Sequence, residues 1–172
     1  LARTHGLNIG NGTGILMSGA AGTIIESNLI RGNHDGGVQV GNSEKTDVLG
    51  NTVSFNDYGI LLSGAKDTTI GGASGVLDGG PATHPGNLIR DNILAIVILG
   101  SERTSILGNE IRAGDDPLES VLFEHIGVSV TGSEQTTLGN AEIAADGSVD
   151  RASGNLIAGF DVGVRVTTST ET

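Results

Sequence analysis

The run Gly50-Asn51-Thr52-Val53-Ser54-Phe55-Asn56-Asp57-Tyr58-Gly59-Ile60-Leu61-Leu62 is followed, eight residues after Leu62, by Ile70. The same eight-residue step joins Met17 to Ile25, Val40 to Val48, Ile98 to Ile106 and Val130 to Leu138. One spacing recurring five times marks an internal repeat. The small residue that opens each run recurs too, at Gly14, Gly37, Gly59, Ala95, Gly127 and Gly163, with intervals of 23, 22, 36, 32 and 36 residues. The long intervals are short ones with insertions. Ile25 to Asn28, Val48 to Asn51 and Ile106 to Asn109 are each three apart, whereas Ile70 to Asn87 and Leu138 to Asn155 are each seventeen apart. Two insertions of equal length therefore leave the repeat at the same corner. A third lies between Asn109 and Gly127.

Each basic unit contains three short alternating segments, such as Gly59-Ile60-Leu61-Leu62, Thr68-Thr69-Ile70 and Asn87-Leu88-Ile89. They are too short for helices, and period-2 alternation fits strands. Three strands per turn, stacked at a fixed repeat, give an all-β solenoid with three parallel sheets and about six coils. The motifs Gly-Asn-Leu-Ile at 86–89 and 154–157, Gly59-Ile60 and Thr69-Ile70-Gly71-Gly72 resemble right-handed parallel β-helix repeats, particularly those of large bacterial surface and secreted proteins. The resemblance covers nearly the whole chain and implies residues 1–172 as one β-helix segment, with inserted loops near 71–86, 113–126 and 139–154. It also implies an extracellular or cell-surface setting. The fold hosts lyases, epimerases, hydrolases and non-catalytic stalks alike, so it leaves activity open.

Stacking the units turns positions into columns. Four aliphatic columns are expected to face inward: Ile15-Val38-Ile60-Ile96-Val128-Val164, Met17-Val40-Leu62-Ile98-Val130-Val166, Ile25-Val48-Ile70-Ile106-Leu138 and Ile30-Val53-Ile89-Ile111-Ile157. Thr23, Thr46, Thr68, Thr104 and Thr136 are expected to pack inward and form a hydrogen-bonded ladder. Asn28, Asn51, Asn87, Asn109 and Asn155, with a second set at Asn11, Asn33, Asn56 and Asn92, suit recurring corners, where an amide bonds stacked backbone groups. Glu44-Lys66-Glu102 and Lys45-Asp67-Arg103 alternate in sign, which reads as a solvated ladder against register slips.

Composition narrows function. Lys plus Arg is 9 against 20 Asp plus Glu, a net charge of −11 that disfavours nucleic acid and adsorption to anionic membranes. Aromatic residues make up 2%, too few for a stacking platform, and the absence of Cys excludes disulfides and thiolate metal sites. No apolar run is long enough for membrane insertion as a helix. The outward column Leu16-Gln39-Leu61-Val97-Ser129-Arg165 is too apolar for a cleft of acid–base groups. The nearest catalytic constellation is His34-Asp35 with Asp57-Tyr58 one coil above. Oxygen-rich loops suit calcium, and Asp115, Asp116 and Glu119 are the candidate ligands. Val97 and Leu99 are expected to lie outward beside Leu61, under a cover formed by Val121, Leu122 and Phe123. The leading expectation is a non-catalytic structural or adhesive segment of an extracellular or cell-surface protein or filament. Its partners would be other protein segments or copies of itself stacked end to end. The competing one is a carbohydrate-active enzyme or a polysaccharide-binding module.

Overall fold

The computed structural model describes residues 10–72, 86–114, 124–139, 142–143, 149–150 and 154–167. These form a right-handed parallel β-helix with three sheets. Sheet one stacks six strands in the order Thr13–Ser18, Gly36–Gly41, Tyr58–Ser63, Leu94–Leu99, Ile126–Thr131 and Val162–Thr167. Sheet two stacks Ile24–Glu26, Asp47–Leu49, Thr69–Gly71, Ser105–Leu107 and Thr137–Leu138. Sheet three stacks Leu29–Arg31, Thr52–Ser54, Leu88–Arg90, Glu110–Arg112 and Leu156–Ala158. Every pairing within these sheets is parallel, at a rung spacing of about 4.8 Å. Among the described residues, antiparallel pairing occurs between Glu142–Ile143 and Val149–Asp150, inside the third inserted loop.

The four aliphatic columns are in register and fill the lumen through the middle coils, but Leu138, expected inward at the end of the third column, is 40% exposed. Val38, Ile60, Leu62, Ile70, Ile89, Ile96, Ile98, Ile106 and Ile111 are buried in one contiguous core. Burying each such side chain contributes roughly 1.5–3 kcal/mol. At the last described coil the same columns emerge: Val164 and Val166 are 42% and 61% exposed. The small-residue column is set by crowding. A Cβ on Gly37 would sit 2.7 Å from the Gly59 carbonyl oxygen and 2.6 Å from Val53, leaving space for little beyond hydrogen.

The asparagine columns are hydrogen-bonded ladders. The backbone N–H and the side-chain amide of Asn51 both donate to Asn87 Oδ1, at 2.9 and 3.1 Å, and Asn87 donates in the same way to Asn109 Oδ1. The Asn51 amide also donates to the Ile25 and Leu49 carbonyls, so it stitches three coils together. The second ladder runs through Asn33, Asn56 and Asn92. Asn11 takes part differently: its backbone carbonyl accepts from the His34 N–H. Thr46, Thr68 and Thr104 are buried, as the inward reading requires. The expected hydroxyl ladder does not form. The hydroxyls of Thr46, Thr104 and Thr136 have no partner, and that of Thr68 reaches only the Lys66 carbonyl, at 3.5 Å. A hydroxyl must compete for carbonyls already committed to the backbone between coils, whereas a carboxamide carries its own donor and acceptor.

The corners need left-handed backbone. Just before sheet two it is supplied by Gly22, Lys45, Asp67, Arg103 and Gln135 in successive coils. Just after sheet two it falls on Ser27, Gly50 and Gly108 in coils without an insertion there. In the two inserted coils it moves one residue earlier, to Gly71 and Gly139, each the strand's own end or the residue following it. The chain thus leaves the coil before the regular corner, and Asn87 and Asn155 return it to the ladder.

Candidate functional site

Three surface regions carry side chains capable of recognition or chemistry. The first is the corner leading into sheet one. His34 Nδ1 lies 3.6 Å from Asp35 Oδ1, with both side chains more than half exposed. The Tyr58 N–H donates to the Asp35 carbonyl at 3.0 Å, which places Asp57-Tyr58 on the coil directly above Asp35. The four residues expected to meet therefore do share one corner. His34 and Asp35 lie at an exposed edge, whereas Asp57 and Tyr58 are partly buried on the coil above.

The second region is the charged corner before sheet two. Isolated parallel bridges join Glu44, Lys66, Glu102 and Glu134 in sequence. Lys66 Nζ lies 3.2 Å from Glu102 Oε1. In the adjacent column Arg103 Nε and Nη2 donate to the two Asp67 oxygens at 2.6 and 3.0 Å, a bidentate pair between coils. The Arg103 hydrogen bonds hold the Asp67 carboxyl below its ordinary range, and Asp67 in turn pushes the Arg103 guanidinium upward. The checkerboard holds from Glu44 to Glu102 and fails at Glu102–Glu134, where two acids follow one another.

The third region is the outer face of sheet three, which the sequence reading passed over. By register one outer column is Leu29-Thr52-Leu88-Glu110-Leu156, and the next is Arg31-Ser54-Arg90-Arg112-Ala158, in which Ser54 is nevertheless buried. The signal was present as Asn-Leu-Ile-Arg at 28–31 and 87–90 and Asn-Glu-Ile-Arg at 109–112, one residue beyond the repeated motif. Arg31 lies over the Phe55 ring, 5.5 Å from its centroid. Arg90 lies 3.8 Å from Asp91, and Arg112 pairs with Glu110 of its own strand.

On sheet one, the outward register Leu16-Gln39-Leu61-Val97-Ser129-Arg165 is as expected. Leu99 is 39% exposed, but Val97 is only 6% exposed despite facing outward. The proposed cover, Val121, Leu122 and Phe123, lies outside the described residues, as do the calcium candidates Asp115, Asp116 and Glu119. Among the described residues no three His, Cys, Asp or Glu side chains converge on a point where a metal could sit.

No curated protein and no solved structure matches the chain. Residues 7–74 match the model of a family described as periplasmic copper-binding protein (NosD). That stretch is less than half of the 172 residues and spans the first coils, where the unit repeats without insertion. With three parallel sheets in regular rungs over the rest of the described chain, the protein is a right-handed parallel β-helix repeat protein, similar over its first coils to that family.

Proposed function

We propose that the chain is a rigid, non-catalytic β-helical segment of a cell-envelope or surface protein, built to carry inserted loops and to stack with other protein segments or copies of itself. The observation that carries this reading is the unbroken amide ladder Asn28-Asn51-Asn87-Asn109-Asn155, in which each coil is hydrogen-bonded to the next at the same corner. Such a ladder resists bending and slippage along the whole rod. The exposed apolar side chains of Val164 and Val166 support stacking of a second copy onto that surface. The periplasmic description of the matched family supports an envelope setting.

The copper in that family's description does not find a fitting donor set among the described residues. Copper favours thioether, thiolate and imidazole ligands. The chain has no Cys, and its one Met, Met17, packs against the core. The described imidazoles are His34 and His125, which lie three rungs apart, about 14 Å by strand spacing. We therefore derive no copper chemistry from them.

The test is a depolymerisation screen of the 172-residue chain on neutral and acidic polysaccharides, together with light scattering across a concentration series. The scaffold reading expects no cleavage and end-to-end assemblies that lengthen with concentration. Cleavage that disappears in the Asp35→Asn, Asp57→Asn variant would replace it with an enzyme using the sheet-one corner.

A further inference from the structure

The cations of sheet three are arranged in a way that the fold itself does not call for. Three of the chain's nine Lys and Arg residues occupy one outward column, although the net charge is −11. Arg90 and Arg112 stand directly opposite one another on adjacent parallel strands. Like charges so placed destabilise a sheet. Their acidic partners, Asp91 and Glu110, belong to their own rungs, so these pairs do nothing to tie one coil to the next. Both guanidinium side chains remain about half exposed, at 51% and 50%.

We propose that this column is a docking rail for a carboxylate-bearing polysaccharide lying along the solenoid axis. A guanidinium presents a planar fork that matches a carboxylate bidentately. The row Arg31, Arg90 and Arg112 is straight, with steps of two rungs and then one, roughly 9.6 and 4.8 Å. An extended polymer with recurring acid groups meets such a row at several points, and each added contact is intramolecular after the first. A small anion would meet one point only. Leu29 and Leu88, two rungs apart with Thr52 between them, lie in the adjacent column and offer separate apolar contacts for the C–H faces of sugar rings. Single-stranded nucleic acid would call for aromatic stacking, and the ring at this face, Phe55, already lies under Arg31. The overall negative charge is screened over about 8 Å at physiological salt, so the local row governs close approach. This proposal goes beyond the scaffold reading, which stands or falls on cleavage and assembly rather than on glycan binding.

The experiment titrates polygalacturonate into the 172-residue chain by calorimetry at low salt. Parallel arms use the fully methyl-esterified polymer, vesicles of anionic phospholipid, and single-stranded DNA. The expected result is binding of the acidic polymer that weakens with salt and is absent with the ester. The Arg90→Gln, Arg112→Gln variant should lose at least tenfold in affinity with an unchanged unfolding midpoint. Arg90→Lys, Arg112→Lys should fall between, because charge is kept and the fork is lost. Glu110→Gln should bind more tightly, since it removes a competing carboxylate; a merely structural role for the row would move in the opposite direction or not at all. The proposal is overturned by absence of binding, by equal binding of the ester, by binding indifferent to the paired arginine variant, or by preference for vesicles or DNA.

Discussion

The corner before sheet two and the outer face of sheet three are built from the same charged residue types at the same rung spacing. Before sheet two, Lys66 faces Glu102 and Asp67 faces Arg103, so opposite signs meet between coils. On sheet three, Arg90 faces Arg112, and the carboxylates lie within each rung. The first arrangement makes electrostatics depend on register: slide one coil against the next and the pairs are lost. The second is indifferent to register and leaves cations presented to whatever approaches. Charge in this solenoid thus ties coils together only where its partner sits on the neighbouring coil rather than on its own.

Neither charged region should hold the rod together, which gives the largest expected effect. Ile98 is fully buried in the lumen. Ile98→Asp leaves an unpaired carboxylate there and is expected to cost more than about 4 kcal/mol, or to abolish folding. Chemical denaturation measures it, and a loss no greater than that of any sheet-two charge variant would mean that the charges, not the core, set stability. Next comes Asn87→Ala. It removes a fully buried amide that donates to the Asn109 Oδ1 and the Val48 carbonyl, and it strips the Asn51 N–H of its acceptor. Unsatisfied buried groups cost about 1–3 kcal/mol each, so a loss of several kcal/mol is expected, with hydrogen exchange accelerated at the Asn51 N–H, which loses its acceptor, and not at the Asn109 N–H, which keeps Asn155 Oδ1.

A smaller effect separates the two charged regions directly. Arg103→Glu places an acid among Asp67, Glu102 and Glu134 and should lower the denaturation midpoint. Arg90→Glu creates an opposite-charge pair with Arg112 and should leave the midpoint unchanged or raise it slightly. Both shifts should shrink at high salt. If the two substitutions behave alike, the contrast between the regions has no energetic content. The smallest effect concerns pH. Folding lowers the Asp67 pKa, chiefly through the Arg103 hydrogen bonds. Its contribution is therefore fully present above the unfolded carboxyl pKa, about 3.9, and is lost as pH falls through the lower folded value. Asp67→Asn should flatten the acid limb of the stability curve slightly in that window, with its small loss of stability fully present at neutral pH and vanishing below the folded pKa.

The repeating part of the molecule could be read from one sequence because a solenoid presents each structural position five or six times over. The lumen columns and the asparagine corners each needed one residue chemistry in coil after coil, and so they stood out. What stayed hidden was whatever depended on a position's surroundings. The left-handed corner at Lys45, Asp67, Arg103 and Gln135 bears charged or polar residues in place of glycine; Gly22, in the same column, was the available sign. The threonines are inward as expected, yet the hydroxyls of Thr46, Thr104 and Thr136 go unpaired, because chemistry that permits a bond does not create a free acceptor. The arginine row escaped because it is interrupted by Ser54 and because outward positions are not constrained to one residue type.

The shift of the left-handed residue to Gly71 and Gly139 has a consequence for how such a chain changes over time. Both ends of these excursions are fixed independently of what lies between: a glycine releases the chain, and Asn87 or Asn155 clips it back into an amide ladder that the neighbouring coils already define. Closing a longer excursion then costs little, about 0.6 kcal/mol for each doubling of its length. The corner behaves as a cassette port. Segments of different length and composition can be exchanged there while every coil keeps its register, so new surface can be trialled without renegotiating the fold beneath it.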